Sequence, residues 1–234
     1  QSMSFANNSI SAVLREEPPQ LDSSKATDST SGLVLGHIME GLLRMDLQDR
    51  LGPAIAERWE VMPTQATFWL RKDAKWSDGK AITAADFIFA WQLALKPETG
   101  SEYASLLYPI ENAEAINSGV LPASALGVSA PDPQTLVVKL SRPTAFFDKL
   151  VVFPTFLPIR EDFYNATQGR FGSDAKDLLY SGPYTVKSWV HGASMLLERN
   201  PHYWDNTRGK LAQINFAYIT SDATATLNFF KDER

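Results

Sequence analysis

The sequence predicts a mixed α+β fold, and three stretches carry that reading. The first is 67–97, TFWLRKDAKWSDGKAITAADFIFAWQLALKP. It opens as a strand in which Phe68 and Leu70 point one way and Thr67, Trp69 and Arg71 the other. Asp78-Gly79 then marks a turn, because glycine tolerates positive φ. Thr83 offers a helix N-cap with Asp86 three residues on, and Phe87, Trp91, Ala94 and Leu95 form one helical stripe that Lys96-Pro97 stops. The other two stretches read as β-hairpins. One joins 128–130 to 135–140 across Pro131-Asp132-Pro133-Gln134, and the other joins 184–190 to 194–199 around His191-Gly192. Hairpins require antiparallel pairs, so strands and helices share one chain without a regular βαβ alternation.

The remaining elements follow in order. Ile10, Ala12 and Leu14 alternate with Ser11, Val13 and Arg15 as a first strand, which Glu16-Glu17-Pro18-Pro19 ends. Residues 21–31 are rich in Ser, Thr and Asp and read as a loop with several helix caps. A helix is expected over 32–44, with Leu35, Ile38, Met39 and Leu42 as its apolar stripe. Residues 46–50 read as a turn, 53–59 as a short helical or irregular piece, and Val61 as the start of a strand pairing with 67–71. Short helices are expected at 103–107 and 110–117, the second closed by Gly119. In 135–140, Leu136, Val138 and Leu140 share one face. Residues 146–153 read as helical, and Pro154 and Pro158 as an extended crossing. Ile214, Phe216 and Tyr218 alternate as a strand, and Asp222 caps a last helix through Phe230.

Composition narrows the function. The chain has 234 residues, ample for one large domain or two modest ones, with an ordinary apolar content. No apolar run approaches the roughly 20 residues that a membrane-spanning helix requires. The net charge is −5 and no Lys/Arg-rich run occurs, which argues against nucleic acid as partner. There is no cysteine, which excludes disulfides, thiolate catalysis and cysteine metal sites. The opening Gln1-Ser2-Met3 has no signal-peptide pattern, as expected for a mature or trimmed form.

Few residues invite a chemical reading. His37, His191 and His202 are far apart and share no ligand spacing, so no metal site is expected. HExxH, GxSxG and phosphate-cradling glycine loops are absent, and nothing singles out a catalytic carboxylate pair, so no enzyme and no cofactor are expected. Turn and cap roles account for Asp78 and Asp86. Trp59, Trp69, Trp76 and Trp91 fall on elements where packing explains them. Tyr103, at a loop-to-helix junction, reads from the residues alone as a packing side chain whose phenol also offers a hydroxyl.

A family resemblance adds to this. LRKDAKWSDGKAITAADFIFAWQ (70–92) resembles a segment shared by the solute-binding proteins of bacterial oligopeptide and dipeptide importers. Further phrases fall in the same order: EGLLRMD (40–46), PAIAERWEV (53–61), YASLL (103–107), LGVSAPDPQTLVVKLSRP (126–143), SGPYTVKSWV (181–190) and LERNPHYWDN (197–206). The resemblance implies a lobe of the type II periplasmic-binding-protein kind. Its sheet domain is expected from 1–39 and 161–234, its inserted α+β subdomain from 40–160, and the second lobe outside this chain. It further implies a periplasmic or extracytoplasmic monomer, with a lipid anchor as an option for the native protein. That monomer captures extended oligopeptides and delivers them to an ABC permease in the inner membrane.

By the same resemblance Tyr103 faces bound peptide. Ser29 matches a cleft residue whose main chain pairs with the ligand backbone. Phe153 stands where oligopeptide binders carry a histidine near a side-chain pocket, and Thr27 where some carry a glutamate. Both departures bear on ligand identity. Dipeptides, cell-wall peptides, nickel complexes, haem or oligosaccharides are alternative solutes, and a non-transport sensor or interaction module is an alternative role. Relatives are about twice as long. The opposing wall and the acidic residue that holds a peptide's amino terminus are therefore expected outside this sequence, and the isolated chain is expected to bind peptide weakly or not at all.

Overall fold

A computed structural model describes residues 2–4, 8–218 and 230–231. Two strands open it, β1 (Ser2–Ser4) and β2 (Ser9–Leu14). Helix α1 (Ser29–Ile38) begins at Asp28, whose Oδ2 accepts the Ser31 N–H at 2.9 Å. It starts and ends earlier than the expected 32–44. Asp28 supplies the cap, and at Met39 the backbone turns extended (φ −126°, ψ 152°). The stripe residues Leu35, Ile38, Met39 and Leu42 are all buried, although the last two lie beyond the helix.

A small antiparallel hairpin follows, β3 (Leu43–Met45) and β4 (Leu51–Pro53), around Asp46, whose Oδ1 accepts the N–H groups of Gln48 and Arg50. The piece expected as short helical or irregular over 53–59 is instead mostly strand. β5 (Ala56–Met62) pairs with β6 (Gln65–Leu70) from Ala56 opposite Leu70 onward, five residues before Val61. Trp59 and Val61 pack on the core while Arg58 and Glu60 face solvent. The irregularity between Ala56 and Arg58 leaves Glu57 and Arg58 both exposed, which breaks the alternation at the start of β5.

Helix α2 (Ala84–Leu95) is where local sequence and structure agree most closely. Asp86 Oδ2 accepts the Thr83 N–H at 2.9 Å and the buried Trp76 indole N–H at 3.0 Å. Gly79 takes φ +90° in the preceding turn. After α3 (Ala113–Asn117), which leaves Ile110 to bridge Leu140, the hairpin of β7 (Val128–Asp132) and β8 (Thr135–Lys139) forms as expected. Only Phe147–Leu150 of the apolar 146–153 stretch is α-helical (α4), and Pro154–Phe156 is a 3₁₀ turn rather than an extended crossing. Helix α5 (Glu161–Ala166) precedes the β9 (Tyr184–Val190) and β10 (Ser194–Arg199) hairpin and β11 (Gln213–Tyr218). The helix expected from Asp222 lies, but for Phe230, outside the described residues.

These strands make a five-stranded sheet, β1-β2-β11-β10-β9, and a four-stranded antiparallel sheet, β5-β6-β8-β7. The β2–β11 pair is parallel, which no local hairpin could have signalled. Helix α2 packs Phe87 and Trp91 inward. Trp91 meets Phe156 edge-on at 5.5 Å, and its indole N–H donates to Phe156 O at 3.0 Å. Phe147 joins Phe156 to Phe68 of β6. That aromatic chain anchors the Phe153–Phe156 turn, and with it one side of the groove described below.

Residues near the two sheets also bond across. Ser77 N–H donates to Tyr180 O at 2.8 Å, and Tyr180 N–H to Ser77 Oγ at 3.1 Å. The His202 ring lies over Gly79, and the Arg71 guanidinium sits 3.5 Å from the centre of the Trp204 ring.

At the β9–β10 turn, His191 places Nδ1 2.8 Å from Glu17 Oε1 and Nε2 3.0 Å from Asp174 Oδ1. Desolvation opposes its charged form, but Glu17 and Asp174 outweigh that and raise its pKa above the ordinary histidine value. The charged ring therefore favours the fold fully below about pH 6.5, and that contribution fades as pH rises through the raised folded-state pKa.

Two predictions follow from these contacts. Melting of the wild type and His191→Ala should differ most near about pH 6 and converge by about pH 9; an equal gap at both would leave only ring packing on Trp189. Asp86→Ala strands one buried and one part-buried donor and should cost about 1–3 kcal/mol in chemical denaturation. Burial already raises the Asp86 pKa, so the neutral acceptor in Asp86→Asn should restore much of that loss.

Candidate functional site

Three segments far apart in sequence meet beside the first turn of α1. The first carries Thr27 and the cap residue Asp28. The second is the 3₁₀ turn Ala104–Leu107, anchored by buried Ala104 and Leu107, which leaves Tyr103 at its start 47% exposed. The third is the turn anchored by Phe156, which leaves Phe153 47% exposed. In the second and third segments burial of neighbours fixes the turn while one aromatic ring stays half in solvent.

Together they line a groove of about 340 Å³ whose walls include Thr27, Gly32, Tyr103, Leu106, Phe153 and Pro154. A second hollow of about 460 Å³ shares Gly32 and Pro154 with it and continues past Gly36 and Met39 to Arg44 and Arg208. Gly32 and Gly36 lie one helical turn apart, and a Cβ at either would meet nothing within 4 Å. At those two positions α1 leaves open space beside the hollow, between the side chains of Leu35 and Met39.

The far end is closed by a buried carboxylate. Glu40 accepts the Tyr203 hydroxyl, the Trp204 indole N–H and Arg208 NH1, with Arg44 NH1 at 3.7 Å. Burial pushes the Glu40 pKa up, against those hydrogen bonds and the two guanidinium charges. Burial and the nearby Glu40 charge also push the Tyr203 phenol up.

Of the sequence candidates, Thr27, Tyr103 and Phe153 line one groove. Ser29, the first residue of α1, is exposed next to Asp28 but is not part of the lining. Sequence reasoning missed Gly32, Gly36, Leu106, Pro154 and Thr155. The available signal was the glycine pair, since glycine in a helix interior is unfavourable unless space or close approach requires it.

The three histidines stay apart: His37 Nδ1 lies 2.8 Å from Leu33 O, His191 is held by carboxylates, and His202 rests on Gly79. Among the described residues no group of three His, Asp or Glu side chains could hold a metal. A larger polar hollow of about 590 Å³ lies by β5 and β6, where Arg58 stacks on Trp69, and it contains none of the candidates. Tyr103 and Phe153 can hold a side chain by ring contact, and the glycine face can admit an extended main chain.

Known proteins resemble this chain in sequence and in fold. The sequence profile of the bacterial extracellular solute-binding proteins, family 5 Middle, matches residues 50–233. The periplasmic oligopeptide-binding protein OppA of Salmonella typhimurium is 37% identical over 211 residues, covering 89% of this chain and 39% of that protein. The oligopeptide-binding protein OppA of Bacillus subtilis is 33% identical, covering 97% and 42%. Among solved structures, the substrate-binding domain of a Bacillus anthracis oligopeptide ABC transporter superposes with a TM-score of 0.92 at 38% identity, covering 99% of this chain and 45% of that one. Listeria monocytogenes OppA bound to peptide gives 0.90 at 32%, covering 97% and 45%. The chain thus spans about 40% of the length of these curated relatives. The mixed α+β fold is that of a type II periplasmic-binding-protein-like lobe. With the family profile matched over most of its length, this chain belongs to the bacterial extracellular solute-binding proteins of family 5.

Proposed function

We propose that this chain forms one wall of the ligand cleft in the solute-binding component of a peptide ABC importer. The ligand is an extended oligopeptide. The observation that carries this reading is the convergence of Thr27, Tyr103 and Phe153, from three separate segments, on one open groove beside a glycine-faced helix. Names of relatives point the same way: several are oligopeptide- or dipeptide-binding proteins.

In this reading Tyr103 and Phe153 contact a ligand side chain, and Thr27 and Ser29 edge the path of its main chain. The peptide backbone passes over Gly32 and Gly36. Residues 1–39 and 161–234 act as a sheet domain and 40–160 as an inserted subdomain. A second lobe supplies the opposing wall, hinge closure buries the peptide, and an inner-membrane permease reads the closed form. The protein works as an extracytoplasmic monomer, and no bond is made or broken.

Binding follows from burial and preorganised contacts, so half a cleft gives weak retention. Native mass spectrometry with a mixed peptide pool tests this. The protein as its gene encodes it should carry peptide adducts, whereas residues 1–234 alone should emerge bare. Micromolar binding of ordinary peptides by the 234-residue chain would overturn the half-cleft reading.

Gly32→Leu separates folding from binding. Leucine suits a helix better than glycine does, by about 0.5–1 kcal/mol, so Tm should hold or rise. The new side chain occupies the groove, so peptide affinity should fall at least about tenfold. Tyr103→Ala should likewise weaken binding with little change in Tm. A large loss of Tm at unchanged affinity would return Tyr103 to a packing role.

A further inference from the structure

The lining of the Tyr103–Phe153 hollow is chemically one-sided. Its large side chains are two half-exposed aromatic rings, Leu106 and Pro154. Among the described residues no lysine, arginine or histidine lines it. The one carboxylate, Asp28, already accepts the Ser31 N–H and sits at the positive end of the α1 dipole. The remaining polar side chains there are the hydroxyls of Thr27, Thr155 and Tyr103.

Its volume, about 340 Å³, lies at the low end of the roughly 300–1,000 Å³ typical of ligand pockets. That is room for one bulky side chain, not for a whole peptide. The adjoining open space at Gly32 and Gly36 gives the main chain a route past the hollow, which sets one ligand position opposite it.

We propose that this hollow is a selective subsite for a bulky apolar or aromatic ligand side chain, at one fixed position of the peptide. The inference rests on the peptide-binding reading and adds selectivity to it. An apolar side chain leaves water against two rings and strips no charge. An acidic side chain would lose hydration next to Asp28 with no cation on this wall to meet it. A lysine would find only a carboxylate committed to a helix cap.

The test is a set of short peptides in which each position is varied through Ala, Leu, Phe, Lys and Asp, titrated calorimetrically into the protein as its gene encodes it. One position should favour Leu or Phe over Ala, Lys and Asp by at least about tenfold, and the same position should respond in every parent peptide. Phe153→Ala, at an exposed ring whose loss leaves the fold standing, should cut that preference at least about fivefold at that position alone. Peptides that bind with no discriminating position would overturn the subsite and leave the peptide reading intact. So would a lysine preference that disappears in Asp28→Asn, a variant that keeps a good helix cap. If no peptide in the set binds at all, the peptide reading falls and the subsite with it.

Discussion

A carboxylate almost cut off from water fixes the far end of the groove, and much of the surrounding geometry serves it. Glu40 is 5% exposed. Removing such a group from water costs several kcal/mol unless donors replace the lost hydration. Tyr203, Trp204 and Arg208 donate to it, with Arg44 beside it. Ser181 closes the backbone: its Oγ accepts the Glu40 N–H at 2.9 Å and donates to Glu40 O at 3.3 Å. Trp204 in turn lies under Arg71, just past the end of β6. One buried charge thereby joins the exit of α1, the Ser181 junction, the turn that carries Tyr203 to Arg208, and the four-stranded sheet.

The consequence is a helix fixed at both ends. At its exit, Ser181 and Gly182 both donate to Ile38 O. A Cβ on Gly182 would come within 2.7 Å of the Ile38 and Met39 backbone, so only glycine allows that approach. Ahead of its entry, Leu21 N–H donates to Gly172 O. Gly172, at φ +82°, lies so close to Asp22 that a Cβ would fall 2.3 Å from the Asp22 nitrogen. Between these clamps α1 shows its glycine face to open space. A wall already rigid before a ligand arrives loses little conformational entropy on binding, which favours affinity without added contact area.

How much of this was legible depended on whether the information was local. The stretch from β6 through α2 read correctly because alternation, an Asp-Gly turn, a capping carboxylate and a terminal proline all lie within a few residues of one another. The β7–β8 and β9–β10 hairpins were legible for the same reason. Strand β5 was legible only from Val61: the irregularity between Ala56 and Arg58 breaks the alternation that Trp59 and Val61 carry, and pairing with β6 extends the strand back to Ala56. The end of α1 was misplaced because Met39 and Leu42 continue a helical apolar rhythm while being buried for other reasons. The parallel β2–β11 contact and the Tyr203 and Trp204 bonds to Glu40 join residues more than 160 positions apart, and no window of sequence contains both partners.

The groove residues pose a sharper version of the same problem. YASLL and VVFPTF are apolar phrases, and by composition alone each aromatic in them reads as core. Both lie in 3₁₀ or irregular backbone, where no period tells the inner face from the outer. The structure separates the roles by neighbour: Ala104, Leu107 and Phe156 are consumed by the core, and Tyr103 and Phe153 are left over. Leaving two rings half in water forgoes the burial that each could have contributed to folding. Scattered single exposures of this kind need no explanation. These two are not scattered: they line one hollow together with Gly32 of α1, where a Cβ would meet nothing within 4 Å. Apolar surface concentrated there, with the nearest charge already committed to a helix cap, is surface kept free for something that the fold itself does not supply.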